Sequence, residues 1–249
     1  RHCGVNRLAG ETGYCGLDAT PRCFRELLHD AEESCLNPSH QVYFSGCNLR
    51  CEYCSVEEWI TDPQAASPMN LQALTHAVAY RKTQGARTLN LLGGEPTVSL
   101  PGILKLLSCI DPYTQVVWNS NMYYSDVTAE YLAGLVDITL ADLKCGNESC
   151  AARLLDAPDY VAVARQNIVQ ASQDHHVIIR CLLMPGHQDC CLLPTLNWIA
   201  KTVPKAQVSL RADYVPPVQP VFAAATYTTQ EEYQLAQKHS KRLGLALIT

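Results

Sequence analysis

Short runs of continuously apolar residues punctuate the chain at 41–46, 86–92, 115–120, 136–140, 177–184, 207–211 and 245–249. Most do not alternate apolar with polar positions, and continuous runs suit strands covered on both faces in a parallel sheet. The stretches between them carry helix punctuation. Thr228 and Glu231 have the spacing of a capping box ahead of a helix over 229–243, with Gly244 where a left-handed cap would stand. Further helices are expected over 70–84, 100–108, 125–135, 160–172 and 192–202, with Pro68, Pro101 and Pro158 at or before helix starts, where a missing N–H costs little. Pro216, Pro217 and Pro220 fix an extended loop after the sixth strand. The alternation predicts an α/β fold of six or seven βα units, a partial or complete barrel rather than an open doubly wound sheet. In a barrel the chemistry belongs at the C-terminal strand ends. An irregular Cys-rich extension over 1–40 is expected to precede a barrel domain over 41–249.

At 249 residues the chain is long enough for one large domain with a substantial core. Nineteen Lys and Arg against 24 Asp and Glu leave a formal charge of −5, which offers no basic field to nucleic acid or anionic lipid. No nucleic-acid partner and no membrane partner are therefore expected. The 13 cysteines, about 5% of positions, change the picture. That is below the roughly 8–10% of a small disulfide scaffold. The count is odd, no signal-peptide pattern is present, and no apolar run reaches the ~18 residues of a bilayer span. Cytoplasmic thiolate ligands are the expectation. Because the chain opens on Arg1 inside a Cys/Gly-rich segment, an upstream stretch is expected to be missing.

The first strand run leads into Cys47-Asn48-Leu49-Arg50-Cys51-Glu52-Tyr53-Cys54, a C-x3-C-x2-C loop. Three thiolates on one short loop can hold three corners of a cubane and leave the fourth iron open to a small molecule. Structural zinc would want four ligands in two separated pairs, and a ferredoxin pattern would supply a fourth cysteine. A zinc site or plain core thiols remain the other readings of the triplet. With Tyr53 just before its third cysteine, the loop resembles the signature of the radical S-adenosylmethionine (SAM) superfamily. That resemblance implies a (β/α)6 partial barrel with a [4Fe–4S] cluster on Cys47, Cys51 and Cys54.

The second strand ends Gly93-Gly94-Glu95-Pro96, where paired glycines let the backbone approach a ligand and a carboxylate or carbonyl can accept from an amine. After such a triplet, this turn resembles the radical SAM segment that grips the SAM amino group. Asn119-Ser120-Asn121-Met122 and Asp142-Leu143-Lys144 resemble the Asp-Thr-Asn-Gly and Asp-Leu-Lys segments of glycyl-radical activating enzymes such as the pyruvate formate-lyase activase. In that branch the first motif and the Asp bind a monovalent cation near SAM, and the Lys contacts the SAM carboxylate. Asn119 replaces a carboxylate and so removes one charge from the implied cation site. Arg180, in a strand ending Pro185-Gly186, matches an activase Arg-x-x-x-x-Pro-Gly strand; it would hold the SAM carboxylate or ribose, with Leu182 and Met184 packing adenine. Where activases have Leu-Pro-Tyr-His, this chain has Ala212-Asp213-Tyr214-Val215 and lacks the His. No catalytic side chain is singled out.

The segment from Cys3 to Gly16 also resembles the start of an activase-like radical SAM branch, so the likeness runs from Cys3 to about Pro217. Cys3, Cys15, Cys23 and Cys35, with 11, 7 and 11 residues between them, fit no compact cluster or zinc pattern and read as unligated thiols or as ligands whose partners lie upstream. Cys145 and Cys181 lie near the expected barrel mouth, Cys190 and Cys191 read as small residues at a helix start, and Cys150 has no assigned role. The resemblance implies reductive cleavage of SAM to a 5′-deoxyadenosyl radical that abstracts hydrogen, plausibly from a glycine of a protein substrate. It also implies an electron donor such as flavodoxin or ferredoxin. A radical SAM enzyme acting on a small molecule or peptide, and a noncatalytic iron–sulfur redox protein, are the alternatives.

Overall fold

The computed structural model describes residues 1 and 3–248. Its strands are β1 (Arg22–His29), β2 (Ser39–Phe44), β3 (Ser67–Pro68), β4 (Thr88–Gly93), β5 (Gln115–Ser120), β6 (Ile138–Asp142), β7 (His176–Leu182), β8 (Gln207–Arg211) and β9 (Ala246–Ile248). The α-helices are α1 (Glu58–Thr61), α2 (Leu71–Thr83), α3 (Leu100–Leu107), α4 (Asp126–Leu132), α5 (Glu148–Leu155), α6 (Tyr160–Asp174), α7 (Leu193–Thr202) and α8 (Gln230–Arg242). The chain forms two compact units. One comprises Arg1–Asn48, Val56–Ser120 and Leu135–Ile138; the other comprises Leu49–Ser55, Asn121–Gly134 and Thr139–Thr249. The division passes through the C-x3-C-x2-C loop, after Asn48.

In the first unit the strand order is β3-β1-β2-β4-β5. The edge strand β1 runs antiparallel to β2 and β3, while β2, β4 and β5 run parallel. Leu89, Leu91, Val117 and Trp118 are almost wholly buried, as continuous apolar runs require. In the second unit the order is β6-β7-β8-β9, with β7, β8 and β9 parallel. Val177, Ile178, Ile179, Val208 and Leu210 fill its core.

The expected elements lie within a few residues of the observed ones, with three corrections. The 1–40 segment is not wholly irregular, because it contributes β1. That strand is charged and half-exposed along most of its length, so no apolar run marks it. The capping box falls one residue later: the Thr229 hydroxyl accepts from the Glu232 N–H, and the Glu232 carboxylate accepts from the Thr229 N–H at 2.8 Å. Helix α5 was unforeseen, although the Asn147 side chain accepts from the Cys150 N–H at 2.8 Å and so supplies an N-cap, followed by Glu148 in the first turn. Of the last expected strand, Thr249 lies outside the described residues.

At the end of β4 two adjacent glycines admit no substitute. A Cβ on Gly93, whose φ is 134°, would stand 2.1 Å from the Phe44 carbonyl oxygen. One on Gly94 would stand 2.2 Å from the Gly46 carbonyl oxygen and 2.4 Å from Ile60 Cδ1. Gly85, with φ 98°, has open space around it. Gly93→Ala and Gly94→Ala should each cost about 3 kcal/mol or more, since backbone rather than a yielding side chain is in the way. Gly85→Ala should cost only about 1 kcal/mol, from its backbone conformation alone. Urea denaturation of the three variants tests the contrast.

Candidate functional site

The first unit brings the Gly93-Gly94-Glu95 turn onto the root of the cysteine loop. The Gly94 N–H donates to the Phe44 carbonyl at 2.8 Å, and the Glu95 N–H donates to the Gly46 carbonyl at 3.0 Å. Gly46 itself, at φ 77°, donates to the Trp59 carbonyl, and a side chain there would collide with Leu17 and the Cys15 carbonyl. Residues 15–17 of the N-terminal segment therefore pack directly against Gly46. Glu95 is almost fully buried. Its Oε1 accepts from the Ser120 hydroxyl at 2.8 Å and from the Thr97 N–H and hydroxyl at 3.2 and 2.5 Å, capping the short 3-10 turn at Pro96–Ser99. Asn119 is buried beside Ser120 at the end of β5.

The second unit holds the other half of the loop. The Arg50 N–H donates to the Leu155 carbonyl at 3.0 Å and the Glu52 N–H to the Leu154 carbonyl at 2.9 Å. These are C-terminal carbonyls of α5, which a continuing helix would have used and which the left-handed Asp156 leaves available. Cys51, between the two donors, is thus hung on the end of that helix. The Glu52 carboxylate accepts from three successive backbone N–H groups, those of Val221, Phe222 and Ala223, a small anion nest. Arg153 lies over the Phe222 ring at 3.5 Å. Burial works to raise the Glu52 carboxyl, but the three N–H donors and Arg153 outweigh it and hold it below the usual range. Tyr53 is packed at 5.9 Å from the Tyr214 ring; among the described residues its buried hydroxyl has no hydrogen-bond partner.

Asp142 and Lys144, at the end of β6, form an ion pair at 3.0 Å. Burial opposes both charges. The Lys144 and Arg180 cations nevertheless hold the Asp142 carboxyl below its ordinary value, while Asp142 and Cys51 hold the Lys144 ammonium above its own. Burial pushes the Cys51 thiol up to about 11, against the opposing charge of Lys144. The Arg180 carbonyl accepts from the Leu143 N–H at 3.1 Å. Tyr160, fully buried, joins these strand ends. Its hydroxyl lies 3.0 Å from the Asn121 carbonyl and 2.8 Å from the Asp142 carbonyl, and accepts from the Lys144 N–H at 3.1 Å. Leu182 ends β7 half-buried and Met184 is buried two residues beyond.

Met122 has φ 62°, a left-handed conformation where the resembling activase motif carries glycine. Asn167 holds it there, donating from Nδ2 to the Met122 and Tyr124 carbonyls at 2.8 and 2.9 Å. Nothing in local sequence pointed to Glu52, Tyr160 or Asn167, because each acts on backbone far away in the chain. Cys145 and Cys181 are almost wholly buried, with burial pushing Cys181 up to about 12. Cys190 and Cys191 lie in a π-type turn at Gln188–Leu192, ahead of the α-helical start, and come together with Cys150 and His187. Cys3, Cys15, Cys23 and Cys35 join no group of three or more metal-ligating side chains among the described residues.

The chain matches the family described as the Radical SAM superfamily over residues 42–199. It is 34% identical over 260 residues to the uncharacterized protein MJ0674 of Methanocaldococcus jannaschii, covering 99% of this chain and 74% of that one. A 7-carboxy-7-deazaguanine synthase of Methanothermobacter thermautotrophicus is 31% identical over 103 residues, 41% of this chain and 40% of the relative. Among solved structures, Streptococcus suis SuiB aligns with a TM-score of 0.64 at 15% identity over 83% of this chain; the chain spans 46% of SuiB. A domain of a Bacteroides vulgatus pyruvate-formate lyase-activating enzyme aligns with a TM-score of 0.53 at 17% identity over 64% of this chain and 96% of that domain. The chain belongs to the radical SAM superfamily, whose members use a [4Fe–4S] cluster and SAM. Its fold is α/β with mostly parallel strands, consistent with a partial barrel. Among the described residues no helix is long and apolar enough to cross a membrane.

Two measurements check this geometry. Asn167→Ala should destabilise the protein by roughly 1–3 kcal/mol by leaving buried carbonyls without a donor; chemical denaturation reads it. Because the Glu52 carboxyl is depressed in the folded state, its contribution is present above its unfolded value, about 4.3, and is lost as pH falls through the folded value. The stability gap between the wild type and Glu52→Gln should therefore be full at neutral pH and close under acid, as read from melting temperatures across pH.

Proposed function

We propose that this radical SAM enzyme binds its cluster through Cys47, Cys51 and Cys54 and abstracts hydrogen from a glycine of a partner protein. Residues 41–249 carry the chemistry, and residues 1–40 are an extension to it. The observation that carries the reading is the half-buried Asp142–Lys144 pair at the end of β6, the Asp-Leu-Lys motif of the activase branch, with Cys51 within electrostatic reach of its ammonium. The donor chemistry fits the cofactors. Three soft thiols sit on one loop without a fourth, and the Tyr53 hydroxyl beside them is buried without a partner among the described residues. When bound, the cluster supplies the electron that cleaves SAM.

The remaining roles belong to this chain's own groups. Gly93 and Gly94 bring main chain close to the loop root, and Glu95 and its neighbouring carbonyls orient the SAM amine. Lys144 and Arg180 receive the SAM carboxylate or ribose, and each can do so only in competition with Asp142. Asn119, Asn121 and Asp142 take the cation-binding roles of the activase motif, with one charge fewer because Asn119 replaces a carboxylate. Leu182 and Met184 supply an apolar wall for adenine. A flavodoxin or ferredoxin delivers the electron. A SuiB structure bound to its precursor peptide SuiA supports the idea that this fold can present its site to a polypeptide.

Reconstituted anaerobically and reduced, the protein should convert SAM to 5′-deoxyadenosine and methionine. Cys51→Ala should abolish that turnover with loss of cluster iron, whereas Cys23→Ala should retain both. Lys144→Ala should keep the iron and weaken SAM binding about tenfold or more, the loss of one charge-assisted contact. A stable glycyl-type EPR doublet on mixing with a partner protein supports the activase reading. Deuterium transfer from a small substrate into 5′-deoxyadenosine, with no doublet, would overturn it.

A further inference from the structure

Cys150, His187, Cys190 and Cys191 bring four ligand atoms within 4.8 Å of one another in the second unit, and nothing in the SAM chemistry uses them. Cys150 Sγ lies 3.7 Å from Cys190 Sγ and 3.8 Å from His187 Nδ1; Cys190 Sγ lies 3.5 Å from His187 Nδ1 and 4.0 Å from Cys191 Sγ. Metal–ligand distances of about 2.3 Å to sulfur and about 2.0–2.1 Å to nitrogen, set at the tetrahedral angle, give S···S edges of about 3.8 Å and S···N edges of about 3.6 Å. The four separations match the edges of one tetrahedron around a single ion. Thiolates of a cubane sit on different irons and stand farther apart, and a disulfide would need sulfurs at about 2.05 Å.

The surroundings are built for this arrangement. The π-type turn closes on the His187 carbonyl, which accepts from the Cys191 and Leu192 N–H groups at 2.9 and 3.2 Å, so that residues 187, 190 and 191 face one point. Gly146 lies flat against Cys191, where a Cβ would stand 2.2 Å from its carbonyl oxygen. The Phe222 ring meets the His187 ring edge-on at 5.1 Å and fixes its plane. Asn147 Nδ2 lies 3.3 Å from Cys150 Sγ and 3.7 Å from Cys191 Sγ, and donates to the Cys190 carbonyl at 2.7 Å. Such donors stabilise thiolates around a metal.

We propose that Cys150, Cys190 and Cys191 through their sulfurs and His187 through Nδ1 bind one Zn2+ as a structural site, separate from the iron–sulfur cluster. Binding releases the three thiol protons to solvent and changes no oxidation state. The ion ties the first turn of α5 to the turn after β7, and the far end of that helix holds the amides on either side of Cys51. Its purpose is to fix that helix so that its last carbonyls stay in place.

The test is an anaerobic titration of the metal-free full chain with Co2+ and then Zn2+. One Co2+ per chain should give the ligand-field and thiolate charge-transfer bands of a tetrahedral site, and one equivalent of Zn2+ should displace it. The bands should survive in Cys47→Ser/Cys51→Ser/Cys54→Ser, which separates this site from the cluster reading, and should vanish in Cys150→Ser/Cys190→Ser. His187→Cys should keep the bands with the shift expected of four sulfurs. Asn147→Asp, which retains the helix cap but loses the N–H donors, should weaken Zn2+ 10- to 100-fold. If the double variant does not fold, the wild type and the triplet variant still decide. The proposal is overturned by the absence of tetrahedral bands in the wild type, by bands that vanish with the triplet, by bands that persist in the double variant, or by a Cys150–Cys190 disulfide in the purified chain.

Discussion

The approach of β4 to the end of β2 leaves no room for a side chain at Gly93 or Gly94, and the placement of the Gly-Gly-Glu turn in the first unit depends on that contact. With a backbone carbonyl 2.1 Å from where a Cβ would be, the Gly-Gly turn can lie on Phe44 and Gly46 and exchange main-chain hydrogen bonds with them. Main-chain partners cannot swing away as side chains do, so the turn and the root of the cysteine loop move together. The second unit fixes its portion of the loop by similar means. There the open carbonyls at the C-terminus of α5 take the amides of Arg50 and Glu52.

Electrostatics in the second unit follows from burial. Asp142 and Lys144 resist desolvation only as a pair, and Arg180 adds a second cation to the Asp142 environment. Arg211 is a third cation within electrostatic reach of the same carboxylate. Glu52 shows the other solution, a carboxylate satisfied by three backbone N–H groups.

Much of the fold was legible because burial on both faces leaves a continuous apolar run, and β4, β5, β7 and β8 all carry one. Strand β1 was not, because its Arg, Glu and His residues lie on a half-exposed antiparallel edge and its pattern resembles a loop. Helix α5 was missed although Asn147 and Glu148 mark its start; its buried face of Cys150, Ala151, Leu154 and Leu155 opens on two small residues that stand out little as an apolar stripe.

By itself the sequence determined the local patterns of the candidate site: three closely spaced thiols, a Gly-Gly-Glu turn and an Asp-Leu-Lys strand end are contiguous, and neighbouring residues stay neighbours in any fold. Only the tertiary structure decided what holds those patterns, since Glu52, Tyr160 and Asn167 bond to backbone 16 or more residues away. The same holds for the cysteines. His187, Cys190 and Cys191 lie within five residues, but Cys150 enters from the first turn of α5. A four-ligand set of that kind has no sequence spacing by which to recognise it.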